Sequence, residues 1–139
     1  MLMNGDTLGK FILYADDDID DQDMMREVLQ QVAPDVQLVA KDNGEDLLRF
    51  AKELTDHANV PALIILDLNM PGLDGIQTLT RLKEIEKYKQ VPVLIFTTAV
   101  NETDKDRAFS YGAIAFVKKP SSYKDLHVII ASFGSYINP

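Results

Sequence analysis

The sequence predicts one α/β domain: a parallel five-stranded sheet with helices on both faces. Three observations carry this. Five short apolar runs alternate with stretches of helical spacing. Two of the runs, 62–66 (ALIIL) and 91–97 (VPVLIFT), are nearly continuous in apolar character, as strands covered on both faces are. Acidic, hydroxyl and lysine residues stand directly after the runs, where open parallel sheets gather their functional groups.

Residues 11–15 (FILYA) read as the first strand. Met24, Met25, Val28, Leu29 and Val32 then form a helical stripe that Pro34 ends, with both methionines expected in the core. Asp18, Asp20, Asp21 and Asp23 read as a helix cap and acidic first turns, which the helix dipole favours by ~0.3–1 kcal/mol each. Residues 36–40 (VQLVA) form the second strand, and Leu47, Leu48, Ala51 and Leu54 the stripe of the second helix. The run 62–66 is the third strand, followed by a helix bearing Ile76, Leu79, Leu82 and Ile85. The run 91–97 is the fourth strand. The fourth helix, near 103–110, has the weakest stripe, with only Ala108 and Phe109 clearly apolar, and Gly112 stands where a helix stop belongs. Residues 114–117 (IAFV) are the fifth strand, and Leu126, Ile129, Ile130, Phe133 and Ile137 make a last helix that runs to the chain end. Alternating strands and helices demand right-handed crossovers and hence a parallel sheet. The expected domain spans 1–139, with its core at about 10–137 and no output domain.

At 139 residues the chain can bury roughly two-thirds of its unfolded surface, so it needs neither metal nor disulfide to fold. It has no cysteine, which excludes a disulfide framework, a thiolate metal site and a cysteine nucleophile. A formal net charge of -8 argues against a nucleic-acid groove or an anionic membrane surface as partner. The start, MLMNGDTLGKF, lacks the basic stretch and long apolar core of a signal peptide, and no apolar run is long enough to span a bilayer. The expectation is a soluble, cytoplasmic protein.

The strand ends hold the chemistry. Asp16, Asp17 and Asp18 follow strand one, Asp67 follows strand three, Thr97 and Thr98 close strand four, and Lys118, Lys119 and Pro120 follow strand five. Carboxylates brought together in one cleft raise each other's pKa unless a cation neutralises them. Magnesium suits such a set, because it takes one or two carboxylates and leaves positions for a phosphoryl oxygen. A hydroxyl and a lysine on the neighbouring strand ends complete a site for phosphoryl transfer. Asp67, alone at its strand end and followed by LNMPGLDG, reads as the nucleophile that forms an acyl phosphate. The adjacent Asp16 and Asp17 read as metal ligands. His57 and His127 lie away from these ends and read as structural or exposed, and Lys118 as a solvated surface residue.

The set YADDD, LDLNMPGLDG, FTTA and FVKKP, in this order, resembles the receiver domain of two-component response regulators over roughly residues 10–137. The resemblance implies a flavodoxin-like (βα)5 fold of strand order 2-1-3-4-5. It implies phosphorylation of Asp67 by a histidine kinase or phosphotransfer protein. Mg2+ would be held by Asp17, Asp67 and the backbone carbonyl of Asn69, with Asp16 acting largely through water. It further implies that Thr98 moves toward the phosphoryl group, that Lys119 pairs with it, that the Lys119–Pro120 bond is cis, and that Phe116 is the aromatic whose rotamer follows Thr98. The changed surface would be the one formed by helix four, strand five and helix five, a face through which members of the subgroup serving bacterial phytochrome-type kinases often pair as homodimers. Phe116 departs from relatives with tyrosine there, and Val100 from relatives with a polar residue. FTTAVNETD and SYGAIAFVKKPSSYKDL resemble the small regulators that serve bacterial phytochrome-type kinases.

Three other functions compete. An aspartate-nucleophile phosphatase of the haloacid dehalogenase type shares the aspartate, magnesium and lysine, but Asp16–Asp20 fails its motif at the fifth position. A flavin carrier needs a hydroxyl- and glycine-rich loop after strand one, where three aspartates would repel the flavin phosphate. A degenerate receiver acting only as an interaction module would need to have lost function with all five key side chains in place. The downstream target is not legible.

Overall fold

The computed structural model describes residues 9–54 and 60–137. Five strands, β1 (Phe11–Ala15), β2 (Gln37–Lys41), β3 (Leu63–Asp67), β4 (Val93–Thr97) and β5 (Ala115–Lys118), form one parallel sheet in the order β2-β1-β3-β4-β5. The helices are α1 (Ile19–Val32), α2 (Gly44–Glu53), α3 (Gly75–Lys83), α4 (Glu102–Ser110), α5 (Tyr123–Ser132) and α6 (Gly134–Ile137), with a short 3-10 turn at Glu86–Tyr88. This is the doubly wound (βα)5 architecture that the alternation of runs predicts.

Strand periodicity sorts the core into two halves. Phe11, Leu13, Ala15, Ile64, Leu66, Val93 and Ile95 pack under α2, α3 and α4 through Leu47, Ala51, Ile76, Leu79, Leu82 and Ala108. Ile12, Tyr14, Leu63, Ile65, Leu94 and Phe96 face α1 and α5 through Met25, Val28, Leu29, Leu126 and Ile130. Each such aliphatic side chain contributes about 1.5–3 kcal/mol by leaving water. The helices start on side-chain caps: Asp18, Asn43, Asp74, Asn101 and Ser122 each accept backbone N–H groups of the first turn, worth ~1 kcal/mol apiece. Asp18 therefore has the capping role expected of it.

Strands β2, β3 and β5 each begin and end one residue later than the apolar runs suggest, and β4 begins at Val93 rather than Val91. The consequence for the site is that Asp67 is the last residue of β3, paired with Phe96. Ile85 lies beyond α3, whose chain tightens into the 3-10 turn. The last helical stripe is two helices, because α5 closes at Phe133 and α6 carries Ile137; residues 138–139, where a helix was expected to continue, lie outside the described residues, as does His57. Gly112 follows α4 with φ 109, the conformation of a helix stop.

Met24 is a correction: it is 37% exposed, and only Met25 enters the core. The buried α1 position nearest the sheet end is instead Gln22, whose amide donates to the Asp16 carbonyl at 2.6 Å and to Asp42 Oδ1 at 2.9 Å. The Lys119–Pro120 bond is a second correction, since every described peptide bond is trans. Trans is the intrinsically favoured X–Pro isomer by ≈ 0.5–1 kcal/mol, and in it Lys119 N–H still donates to Thr97 O at 2.7 Å. Among the described residues no helix is long and apolar enough to cross a membrane.

Candidate functional site

Strand order reverses between β1 and β3, and their carboxyl ends open one crevice. Asp16 enters it directly from β1, tied to β2 by its N–H to Lys41 O at 3.0 Å. Asp67 enters from the end of β3. The loop after β3 turns sharply enough to bring α3 against the strand end. A Cβ at Gly75 would sit 2.4 Å from Asp67 O, so only glycine permits that approach, and Gly72 adopts φ 76 in the same loop. Glu45 at the start of α2 accepts the Leu73 N–H at 3.2 Å and holds the loop from the other side.

One carboxylate oxygen from each of Asp16, Asp17 and Asp67 lies within 4.8 Å of the others. Asp16 and Asp67 are buried and Asp17 is exposed, so the trio has two fixed members and one facing water. Three oxygens at this spacing fit a hard divalent cation such as Mg2+, and Asn69, two residues past Asp67, belongs to the same loop.

Asp16 is fully buried and fully engaged. Its Oδ1 accepts the Asp18 N–H at 2.9 Å, and its Oδ2 accepts the Tyr14 hydroxyl and the Lys119 ammonium, the latter at 2.7 Å. Lys119, its side chain only 8% exposed, also reaches Asp21 Oδ2 at 2.7 Å and Asp67 Oδ2 at 3.4 Å. Burial pushes the Asp67 carboxyl up to about 6; Lys119 opposes this, the Asp16 charge adds to it, and the Asn69 backbone N–H opposes it again. Burial pulls the Lys119 ammonium down, but hydrogen bonds to Asp16 and Asp21 outweigh that and hold it above the ordinary lysine range. Burial, followed by the Asp16 charge, raises the Tyr14 phenol. A neutral donor thus faces Asp16 from within the core.

Thr98 is the first residue beyond β4 and is exposed, whereas Thr97 is buried. Phe116, in the middle of β5, is half-buried against the core half that holds Ala108 and Ile95. Lys118 is exposed. His127 bonds Gln31 at 2.7 Å, joining α5 to α1 away from the crevice.

The fold thus brings Asp16, Asp17, Asp67 and Lys119 into one cluster, with Thr98 on the rim and Phe116 on the adjacent strand. Sequence reasoning missed three participants. Tyr14 was legible as a polar-tipped aromatic two residues before Asp16 on the same strand face. Gln22 was visible as a polar residue in an apolar stripe. Asp21 was visible as an acid on the face of Met25 and Val28, and its reading as a helix-start charge alone is corrected by its pairing with Lys119.

The chain matches the family described as "Response regulator receiver domain" over residues 12–131. It is 30% identical over 129 residues to the response regulator Rcp1 of Synechocystis sp., covering 91% of this chain and 88% of that protein. It is 36% identical over 112 residues to the nitrate/nitrite response regulator NarL of Escherichia coli, covering 78% of this chain and 49% of the relative. Among solved structures, the phosphorylated cyanobacterial phytochrome response regulator RcpA superposes with a TM-score of 0.81 at 25% identity, covering 92% of this chain and 93% of that one. The Mn(2+)-bound form of Rcp1 superposes with a TM-score of 0.79 at 29% identity, covering 93% and 95%.

Proposed function

The chain belongs to the response regulator receiver family of two-component signalling, and on that premise we propose that it accepts a phosphoryl group on Asp67. The observation that carries this reading is the Asp16–Asp17–Asp67 trio within 4.8 Å with the Lys119 ammonium 3.4 Å from Asp67 Oδ2. An Asp67 carboxylate oxygen forms the bond to phosphorus as the donor's phosphorus–nitrogen bond breaks, and the leaving imidazole takes its proton from water.

Asp16, Asp17, Asp67 and the Asn69 carbonyl would hold Mg2+, which supplies charge neutralisation at the phosphoryl oxygens. The close spacing of the trio's oxygens and the Mn(2+)-bound Rcp1 structure support that choice. Lys119 neutralises further phosphoryl charge from the opposite side. Thr98, exposed at the rim, swings toward the phosphoryl group, and Phe116 follows into the space it leaves. This shifts the population of the α4–β5–α5 surface.

The donor is a histidine kinase or phosphotransfer protein. Likeness to the cyanobacterial phytochrome response regulator RcpA supports a kinase of that type. The protein acts as a cytoplasmic receiver signalling in trans, with a downstream target that binds, or a second copy that pairs, at the α4–β5–α5 face. It promotes only its own phosphorylation and dephosphorylation.

The test is incubation with acetyl phosphate, with and without Mg2+, followed by intact mass spectrometry beside Asp67→Asn. One added phosphoryl group, dependent on Mg2+ and absent in the variant, is expected. No added mass, together with no beryllofluoride binding, would return the chain to a phosphorylation-independent interaction module.

A further inference from the structure

Lys119 is shared unequally. Its short contacts, both 2.7 Å, go to Asp16 and Asp21, and the longest, 3.4 Å, goes to Asp67. Asp16 cannot readily let go, because it is fully buried and three donors fix its carboxylate. Asp21 differs on each count. Its side chain is 32% exposed, it lies outside the carboxylate trio, and Asp18 already caps the helix on which it sits. Ninety-eight residues separate Asp21 from Lys119, so no local turn or helix geometry requires the pair.

We infer that Asp21 restrains Lys119 in the unphosphorylated protein, competing with an incoming phosphoryl group for the ammonium and so setting how fast Asp67 is loaded. The inference rests on the phosphoacceptor reading of Asp67 and adds to it a residue that sets the rate. An ammonium already partnered by two carboxylates has less free charge to offer the developing phosphoryl oxygens. Its weakest short contact is the partly exposed one, which solvent screens. Asp21 is therefore the partner that gives way when phosphoryl oxygens arrive. Its own charge also repels an anionic donor, in the same direction.

The experiment measures the rate of acetyl phosphate loading by intact mass at saturating Mg2+ for wild type, Asp21→Asn, Asp21→Glu and Asp67→Asn. Asp21→Asn is expected to load about three-fold faster, the order of one screened ion pair, and Asp21→Glu to return toward wild type. Mg2+ affinity, read by calorimetry, moves far less than the rate, which separates a restraint on Lys119 from a role in holding metal. A rate in Asp21→Asn equal to or below wild type, with wild type loading normally, would overturn the restraint alone. Failure of wild type itself to load would overturn the phosphoacceptor reading and this inference with it.

Discussion

The centre of the sheet and its β5 edge are built to different tolerances. At β1 and β3 every strand residue is buried, and Asp16 is fixed through both carboxylate oxygens. At β5 and α4 the burial is thin: Ala115, Phe116 and Val117 of β5 are only half-buried and Lys118 is exposed, and α4 buries only Ala108. Phe109, Tyr111 and Ile114 all face solvent there. The difference separates two tasks. Charges proposed to hold a reacting geometry sit where rearrangement is costly. Residues proposed to change conformation sit where few buried contacts oppose movement.

The largest effect expected from breaking this arrangement is at Lys119. Lys119→Met leaves buried Asp16 and Asp67 without their cation, and such a loss costs about 3–5 kcal/mol. Urea unfolding would measure it, and added Mg2+ should recover part of the loss. Next is the apolar core of the central strands. Ile64→Ala, at a fully buried β3 position, should cost about 2–5 kcal/mol by the same measurement, whereas Phe109→Ala on α4 should stay within about 0.5 kcal/mol. Equal losses at the two positions would erase the contrast.

Tyr14→Phe keeps the ring in the core and removes one donor to a buried charge, an interaction worth about 1.5–3 kcal/mol. An unchanged unfolding midpoint would show that Asp16 does not need the phenol.

A smaller effect links pH and metal. Asp67 titrates near 6 in the folded protein against 3.8 unfolded. Between those values the folded state holds more of the proton, so this group's contribution to stability falls as pH rises from about 4 to 6 and stays at its lower value above that. A cation that pairs with the ionised carboxylate offsets the loss. The stabilisation by Mg2+ should therefore be larger at pH 7.5 than at pH 5, as thermal melts of wild type and Asp67→Asn would show. An increment independent of pH, or equal in the variant, would mean that the cation binds elsewhere.

Much of this was legible in the chain. Five strands and their order of appearance follow from short apolar runs, and the residues just after those runs are Asp16, Asp17, Asp67, Thr98 and Lys119. Both are local properties: residue spacing sets which face is apolar, and the residue after a run stands at its end. Boundaries slipped by one residue because the hydrogen-bond ladder, not hydropathy, decides where a strand stops. Met24 was misread because one apolar residue at a stripe's margin faces core or solvent by a few degrees of helix rotation.

The sequence by itself determined the fold class and which residues stand at the crevice, because periodicity and strand-end composition are written in neighbouring residues. Only the tertiary structure decided how one lysine is divided among the carboxylates. Asp16 and Asp21 are 103 and 98 residues from Lys119 along the chain, and although helical spacing sets Asp21 on the face of Met25 and Val28, it does not name the partner that Asp21 meets there. The selection is made by distance: the sheet carries Lys119 to the start of α1, and of the acids there Asp16 and Asp21 are those within 2.7 Å.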